Sequence, residues 1–231
     1  MKHLLSLSLL AVACGGEGGV AHESAVQRGE RLFNTDFSGV SCSTCHVVDE
    51  AIPSGRLMPG GSLAGVTGRP SYWGGQEDDL LRALNDCRRS FQNVSAPLAA
   101  TDPDAVDIYA FLDSLPGTPD PIPFTVVRSV SDLPPGDETR GQKVFSSACA
   151  TCHGTLGSGK GRIDDEVPAL PDEVLEEHAQ FSEEDRRVIF VEKIRHGGFL
   201  GYGGRMPPFS VETLSDEQLS DLLSALGLWP Q

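Results

Sequence analysis

Four stretches of the chain repeat apolar residues at the spacing of a helix face, and each carries its own start and stop signals. Near the C-terminus Leu219, Leu222, Leu223 and Leu226 share one face, entered through a Ser215 to Gln218 capping box and closed at Gly227. Before it, Ser182 is placed to cap a helix opening on Glu183, Glu184 and Asp185 and ending at Arg195 and His196 ahead of Gly197. Acids thus meet the positive end of the helix dipole and bases the negative end. The N-terminal half offers two counterparts: Gln76 to about Cys87, and Asp104 through Ile108, Phe111 and Leu112 to Leu115, stopped by Pro116 and Gly117. Strand signals are confined to Phe124 to Val127. The pattern predicts an all-α fold.

A proline-rich stretch from Pro116 to Pro135, with Pro119, Pro121, Pro123 and Pro134 and no helical period, reads as a semi-rigid linker. The order of elements repeats around it. Arg28-Gly29-Glu30-Arg31-Leu32-Phe33 in the first half answers to Arg140-Gly141-Gln142-Lys143-Val144-Phe145 in the second. The expected units are residues 25–118 and 137–231, with the linker at 119–136.

The N-terminus has a different character. Met1-Lys2-His3 and a short apolar run to Ala13 form an export signal at 1–13, too short to span a bilayer as a stable helix. Ala11-Val12-Ala13-Cys14 resembles a bacterial lipobox, which makes Cys14 the expected lipidation site; ordinary cleavage nearby is the alternative. The glycine-rich residues that follow would make 14–24 a flexible tether. The expected location is the bacterial periplasm or cell envelope, on a lipid anchor.

Beyond the signal, 39% hydrophobic residues in a 231-residue chain suffice for two small cores. A formal net charge of −15 argues against a nucleic-acid partner, because phosphate binding rests on Lys and Arg. The same charge would steer in a partner with a basic docking face, or serve solubility alone.

Four of the six cysteines lie in two pentapeptides, Cys42-Ser43-Thr44-Cys45-His46 and Cys149-Ala150-Thr151-Cys152-His153. C-x-x-C-H is the attachment sequence of c-type haem: two thiols reach the two vinyl groups of one porphyrin while the adjacent histidine coordinates the iron. Zinc would need four convergent ligands, and a redox dithiol does not call for the following histidine. Two covalently bound haems are therefore expected, held by Cys42, Cys45, His46, Cys149, Cys152 and His153.

These motifs and their surroundings resemble class I cytochrome c domains in both halves, over residues 25–118 and 137–229. Gly61 to Arg69 resembles the family's loop beneath the proximal histidine, and Val167-Pro168-Ala169-Leu170 its shorter counterpart. The resemblance implies that a backbone carbonyl of this loop accepts the second N–H of the haem histidine, from Pro168 for His153. Gly61 stands where the family usually has proline. It also implies two tandem cytochrome c domains, with Met206 of Gly204-Arg205-Met206-Pro207 as the axial thioether of the second haem. A buried gap-filling methionine is the alternative for Met206. His196 is its rival as ligand, with a helix-terminal role of its own, and His178 reads as a solvated surface residue.

The first half has no equivalent methionine. Met58 precedes the proximal loop, and Ser95-Ala96-Pro97-Leu98 occupies the position of Met206. Asn85-Asp86-Cys87-Arg88-Arg89 resembles the cysteine-ligand segment of di-haem thiosulfate dehydrogenases, which implies Cys87 as sixth ligand of haem 1, with Arg88 and Arg89 favouring its thiolate. A buried core thiol, a disulfide to Cys14, or ligation without catalysis are the competing readings. Two functions follow. The first is a tethered electron carrier between exported redox proteins. The second is an oxidoreductase acting on thiosulfate or a related sulfur anion at haem 1, using Cys87 with Arg88, Arg89 and Arg82 as the anion site.

Overall fold

The Ser24 hydroxyl accepts the Gln27 N–H while the Gln27 side chain returns a bond to the Ser24 backbone, and from this box α1 runs Ala25–Asn34. The computed structural model describes residues 22–48, 55–126, 133–198 and 204–228. The export signal, Cys14 and most of the tether lie outside the described residues, as does the middle of the linker. After α1 come α2 (Cys42–Cys45), α3 (Leu80–Phe91) and α4 (Pro103–Asp113). Beyond the linker lie α5 (Glu138–Val144), a π-helical turn (Phe145–Cys149), α6 (Ala150–His153), α7 (Asp172–Glu177), α8 (Glu183–His196) and α9 (Asp216–Ala225). Among the described residues there is no strand, only isolated bridges at Phe37–Val40 and Tyr72–Glu77. No described helix is long and apolar enough to cross a membrane.

Two expectations need correcting. The segment Phe124 to Val126 is not a strand, because it has no strand to pair with: Thr125 instead gives its N–H to Glu212 (2.9 Å) and its carbonyl to Val211 N–H (2.8 Å). Val127 falls outside the described residues. The third helix starts at Asp79, whose carboxylate accepts the Arg82 N–H, rather than at Gln76, and it continues past Cys87 to Phe91. Glu77, inside the expected span, is held out of the helix by its backbone pairing with Tyr72.

The helices pack around two apolar clusters, and the crossing that organises each is built alike. In one, α1 meets α4 over Phe33, Val66, Ile108, Phe111 and Leu112. In the other, α5 meets α9 beside a larger cluster that includes Phe145, Val191, Leu219 and Leu223. At the first crossing a Cβ on Gly29 would stand 2.0 Å from the Asp107 carbonyl oxygen; at the second, one on Gly141 would stand 1.9 Å from that of Asp221. Glycine is what lets the backbones touch. The preceding arginine then bridges each crossing in the same bidentate way, Arg28 to Asp107 (2.6 and 2.7 Å) and Arg140 to Asp221 (2.7 and 2.8 Å). Burial alone would raise the Asp221 carboxyl, but the Arg140 guanidinium and the Asp137 N–H outweigh it and hold it below the usual range.

Candidate functional site

The first motif is a single helical turn started by Ser41, whose N–H donates to Thr44 Oγ1 (3.0 Å), and ended by the His46 N–H on the Cys42 carbonyl (2.9 Å). His46 leaves that turn in extended conformation. The following loop is stitched beneath it by Gly60 N–H to Cys45 O (3.0 Å) and Leu63 N–H to Val47 O (2.9 Å). This sets His46 Nδ1 2.9 Å from the Gly61 carbonyl, to which it donates, leaving the Nε2 lone pair for a metal. Burial pushes the imidazole pKa down, with the Gly61 contact opposing, so the ring is neutral and competent to ligate.

The second motif reaches the same arrangement by another route. The π-helical turn, with Ala150 N–H on Phe145 O, precedes α6, and Gly154 (φ 69°) ends it. His153 is buried, and its Nδ1 lies 2.9 Å from Pro168 O. Ile163 N–H on Cys152 O (3.1 Å) matches Gly60 on Cys45. In both halves the accepting carbonyl lies fifteen residues after the histidine. The contact from Gly61 is therefore made without proline, because only a main-chain oxygen is required.

An apolar cavity with about 1180 Å³ of empty space, its open mouth included, is lined by Cys42, Cys45 and His46 together with Cys87 and Arg88 of α3. Two features fit a haem. A Cβ on Gly60 would come 2.5 Å from the His46 ring, so the loop cradles the imidazole only as glycine. Arg69 lines the cavity with its Nε buried and without a hydrogen-bond partner, while its Nη2 holds Ser62 O (2.8 Å) and Ala64 O (2.7 Å). An acidic edge of the cofactor would satisfy that N–H. Sequence reasoning passed over Arg69; the signal was a lone arginine closing the proximal loop.

Cys87 is half-buried in the cavity wall, and its thiol pKa is pushed strongly up, first by burial and then by the Cys42 and Cys45 sulfurs. The expectation that neighbouring arginines favour its thiolate is not met. Arg89 pairs with Asp86 (2.7 Å), and Arg88 donates to Asn85 Oδ1 (3.3 Å) and Ala96 O (3.2 Å). Deprotonation there would need a metal cation. The three-arginine anion site does not assemble either. Arg82 is exposed and paired with Glu77 and Asp78, and of the three only Arg88 lines the cavity.

Met206 is half-buried and packs against the cluster that contains Cys149. Its backbone is held by Gly198 N–H (2.8 Å), and Gly197 abuts the loop so closely that a Cβ would meet the Met206 oxygen at 2.3 Å. Buried His196 sets Nδ1 2.6 Å from Glu192 of its own helix. His178 is not solvated as expected: only 17% of its side chain is exposed, against Lys193 (3.2 Å) and Phe181. Met58 is buried in the core.

A histidine fixed by a loop carbonyl beside C-x-x-C thiols defines a c-type cytochrome. Residues 136–224 match the family model described as cytochrome c oxidase, cbb3-type, subunit III. Among curated proteins the chain is similar to the Cbb3-type cytochrome c oxidase subunit FixP of Bradyrhizobium diazoefficiens, 25% identical over 188 residues. The match covers 77% of this chain and 56% of that protein, so the chain spans about half the length of the relative it matches. The site and these two matches support a haem cytochrome c of electron transfer.

Proposed function

We propose that the chain is two tandem cytochrome c domains carrying two haems, tethered in the cell envelope through Cys14, and that it relays single electrons between exported redox partners. The observation that carries this reading is the equal setting of His46 and His153, each with Nδ1 2.9 Å from a loop carbonyl. Bound haem supplies a one-electron ferric/ferrous couple at each histidine. The residues do the rest: the cysteines fix the ring, the loop carbonyls orient the imidazoles, and the apolar walls exclude water. Met206 would help to hold the second iron and Cys87 the first.

A thioether raises an iron's potential, whereas a thiolate donates charge to it, so with these ligands electrons would pass from the first site to the second. The net charge of −15 favours partners with basic faces, and an oxidase is one acceptor suggested by the relative. Oxidation of a sulfur anion at Cys87 is the second reading, supported by Cys87 and Arg88 lining one cavity. Pairing of Arg82 and Arg89 with acids weighs against it. Intact-mass analysis of the mature protein tests the proposal: two haems and a lipidated Cys14 are expected, and a single haem would overturn it.

A further inference from the structure

Two adjacent residues of the first half reach into the second, and both end at its haem motif. Leu57 N–H donates to Ser147 O (3.0 Å) in the π-helical turn before Cys149, and the Leu57 side chain joins the second apolar cluster. One residue earlier, Arg56 Nη2 donates to Thr151 Oγ1 (3.3 Å), inside the motif itself. Traffic in the other direction starts beside Met206. Arg205 Nη1 donates to Ser38 O (2.8 Å), in the turn that leads to Cys42, while its Nη2 pairs with Asp164. Pro207 and Pro208 help to line the cavity of the first motif. The seam between the halves is thus made from the two attachment motifs and their flanks.

The charges at that seam are few. Arg56 reaches from the flank of the first motif to Thr151, which lies between Cys149 and Cys152 of the second. Arg205 and Asp164 also face Cys152, but they pair with each other, and Glu166 stands 3.5 Å from Arg205. Arg56 is the cation left uncompensated by an acid among these groups.

We infer that the two motifs form one electron-transfer junction, with Arg56 as a positive charge shared by the facing edges of both motifs. This rests on the two-haem reading. With haem bound, one electron would pass from a ferrous site at His46, which would be oxidised, to a ferric site at His153, which would be reduced, with no proton or atom moving. Reduction adds negative charge at either site, so a cation fixed between them favours the ferrous state of both. It also weakens the repulsion that an electron on one side exerts on the next. Arg56 is therefore a positioning residue for charge, and Leu57 and Arg205 hold the two edges in register.

The test starts with the haem-loaded full chain and a haem count; fewer than two haems per chain defeats the two-haem reading itself. With two present, spectroelectrochemical titration compares the native protein with Arg56→Gln, Arg56→Lys and, as a surface control, Arg89→Gln. Both midpoints should fall in Arg56→Gln by on the order of tenfold in the one-electron equilibrium, about 59 mV. Lysine should restore most of the shift, and the control should move neither haem. Midpoints unchanged in Arg56→Gln, or only one displaced, overturn the junction while leaving the two-haem reading intact. Should Arg56→Gln fail to mature, electron paramagnetic resonance of the native protein decides. The spectrum of one ferric haem should change when the other is reduced, and strictly additive spectra refute the inference.

Discussion

Alanine at Gly141, and separately at Gly29, tests whether the two helix crossings are as close as their geometry. A Cβ on Gly141 would stand 1.9 Å from the Asp221 carbonyl oxygen and 2.8 Å from the Ala225 Cβ. The obstacle is backbone rather than a flexible side-chain end. Reaching ordinary contact at 3.4 Å requires α5 and α9 to part by about 1.5 Å, which also loosens the Arg140–Asp221 pair. Overpacking costs about 1–3 kcal/mol, and contact with a carbonyl puts this case at the upper end. Alanine's better helix propensity offsets ~1 kcal/mol, for a net loss of about 2 kcal/mol. In a small domain that lowers Tm by roughly 8–16 °C. Thermal unfolding of the haem-loaded protein, followed by far-UV circular dichroism and by the haem absorbance, measures it. A shift below ~2 °C in both variants would refute the argument that backbone contact defines these crossings.

Three other outcomes follow from the same structure. Glu212 receives the Thr125 N–H and hydroxyl, and although burial opposes them these bonds draw its carboxyl down to about 2 from 4.5. A depressed carboxyl contributes stability above its unfolded pKa and loses it as pH falls through the folded one, so an acid titration should show loss from about pH 4.5 towards 2 that Glu212→Gln flattens. In the oxidised protein Cys87→Ser should abolish a narrow-g thiolate signal in electron paramagnetic resonance; identical spectra would make Cys87 a structural thiol. Met206→Ala should lower the potential of the second haem and open that iron to added ligands, and an unchanged redox titration would remove Met206 from the ligand set.

Helices with local punctuation were legible in the sequence. Ser182 and Ser215 cap α8 and α9, and α8 ends at His196 before Gly197 as its charge pattern predicts. Where the deciding partner lay elsewhere, local pattern failed. Glu77 lies inside the expected span, yet Tyr72 holds its backbone and Arg82 its carboxylate, so α3 opens only at Asp79. The short helix α7 has one buried residue, Val174, and a single anchor leaves no periodicity to read.

The site divides along the same line. C-x-x-C-H is chemistry written in consecutive residues, so the thiols and histidines were evident before any fold. The support beneath each histidine is a main-chain carbonyl, which every residue owns, and so residue type at Gly61 was uninformative while spacing was not. Arginines posed the opposite problem. Arg82, Arg88 and Arg89 look alike on a helix, and only their partners separate two solvated ion pairs from the one that faces the cavity. Arg56, isolated in sequence and beside no motif, acquires its place at Thr151 of the second motif solely because the two segments meet there. Charge placement across a seam is therefore a property of tertiary contact, and no reading of either C-x-x-C-H motif by itself could have supplied it.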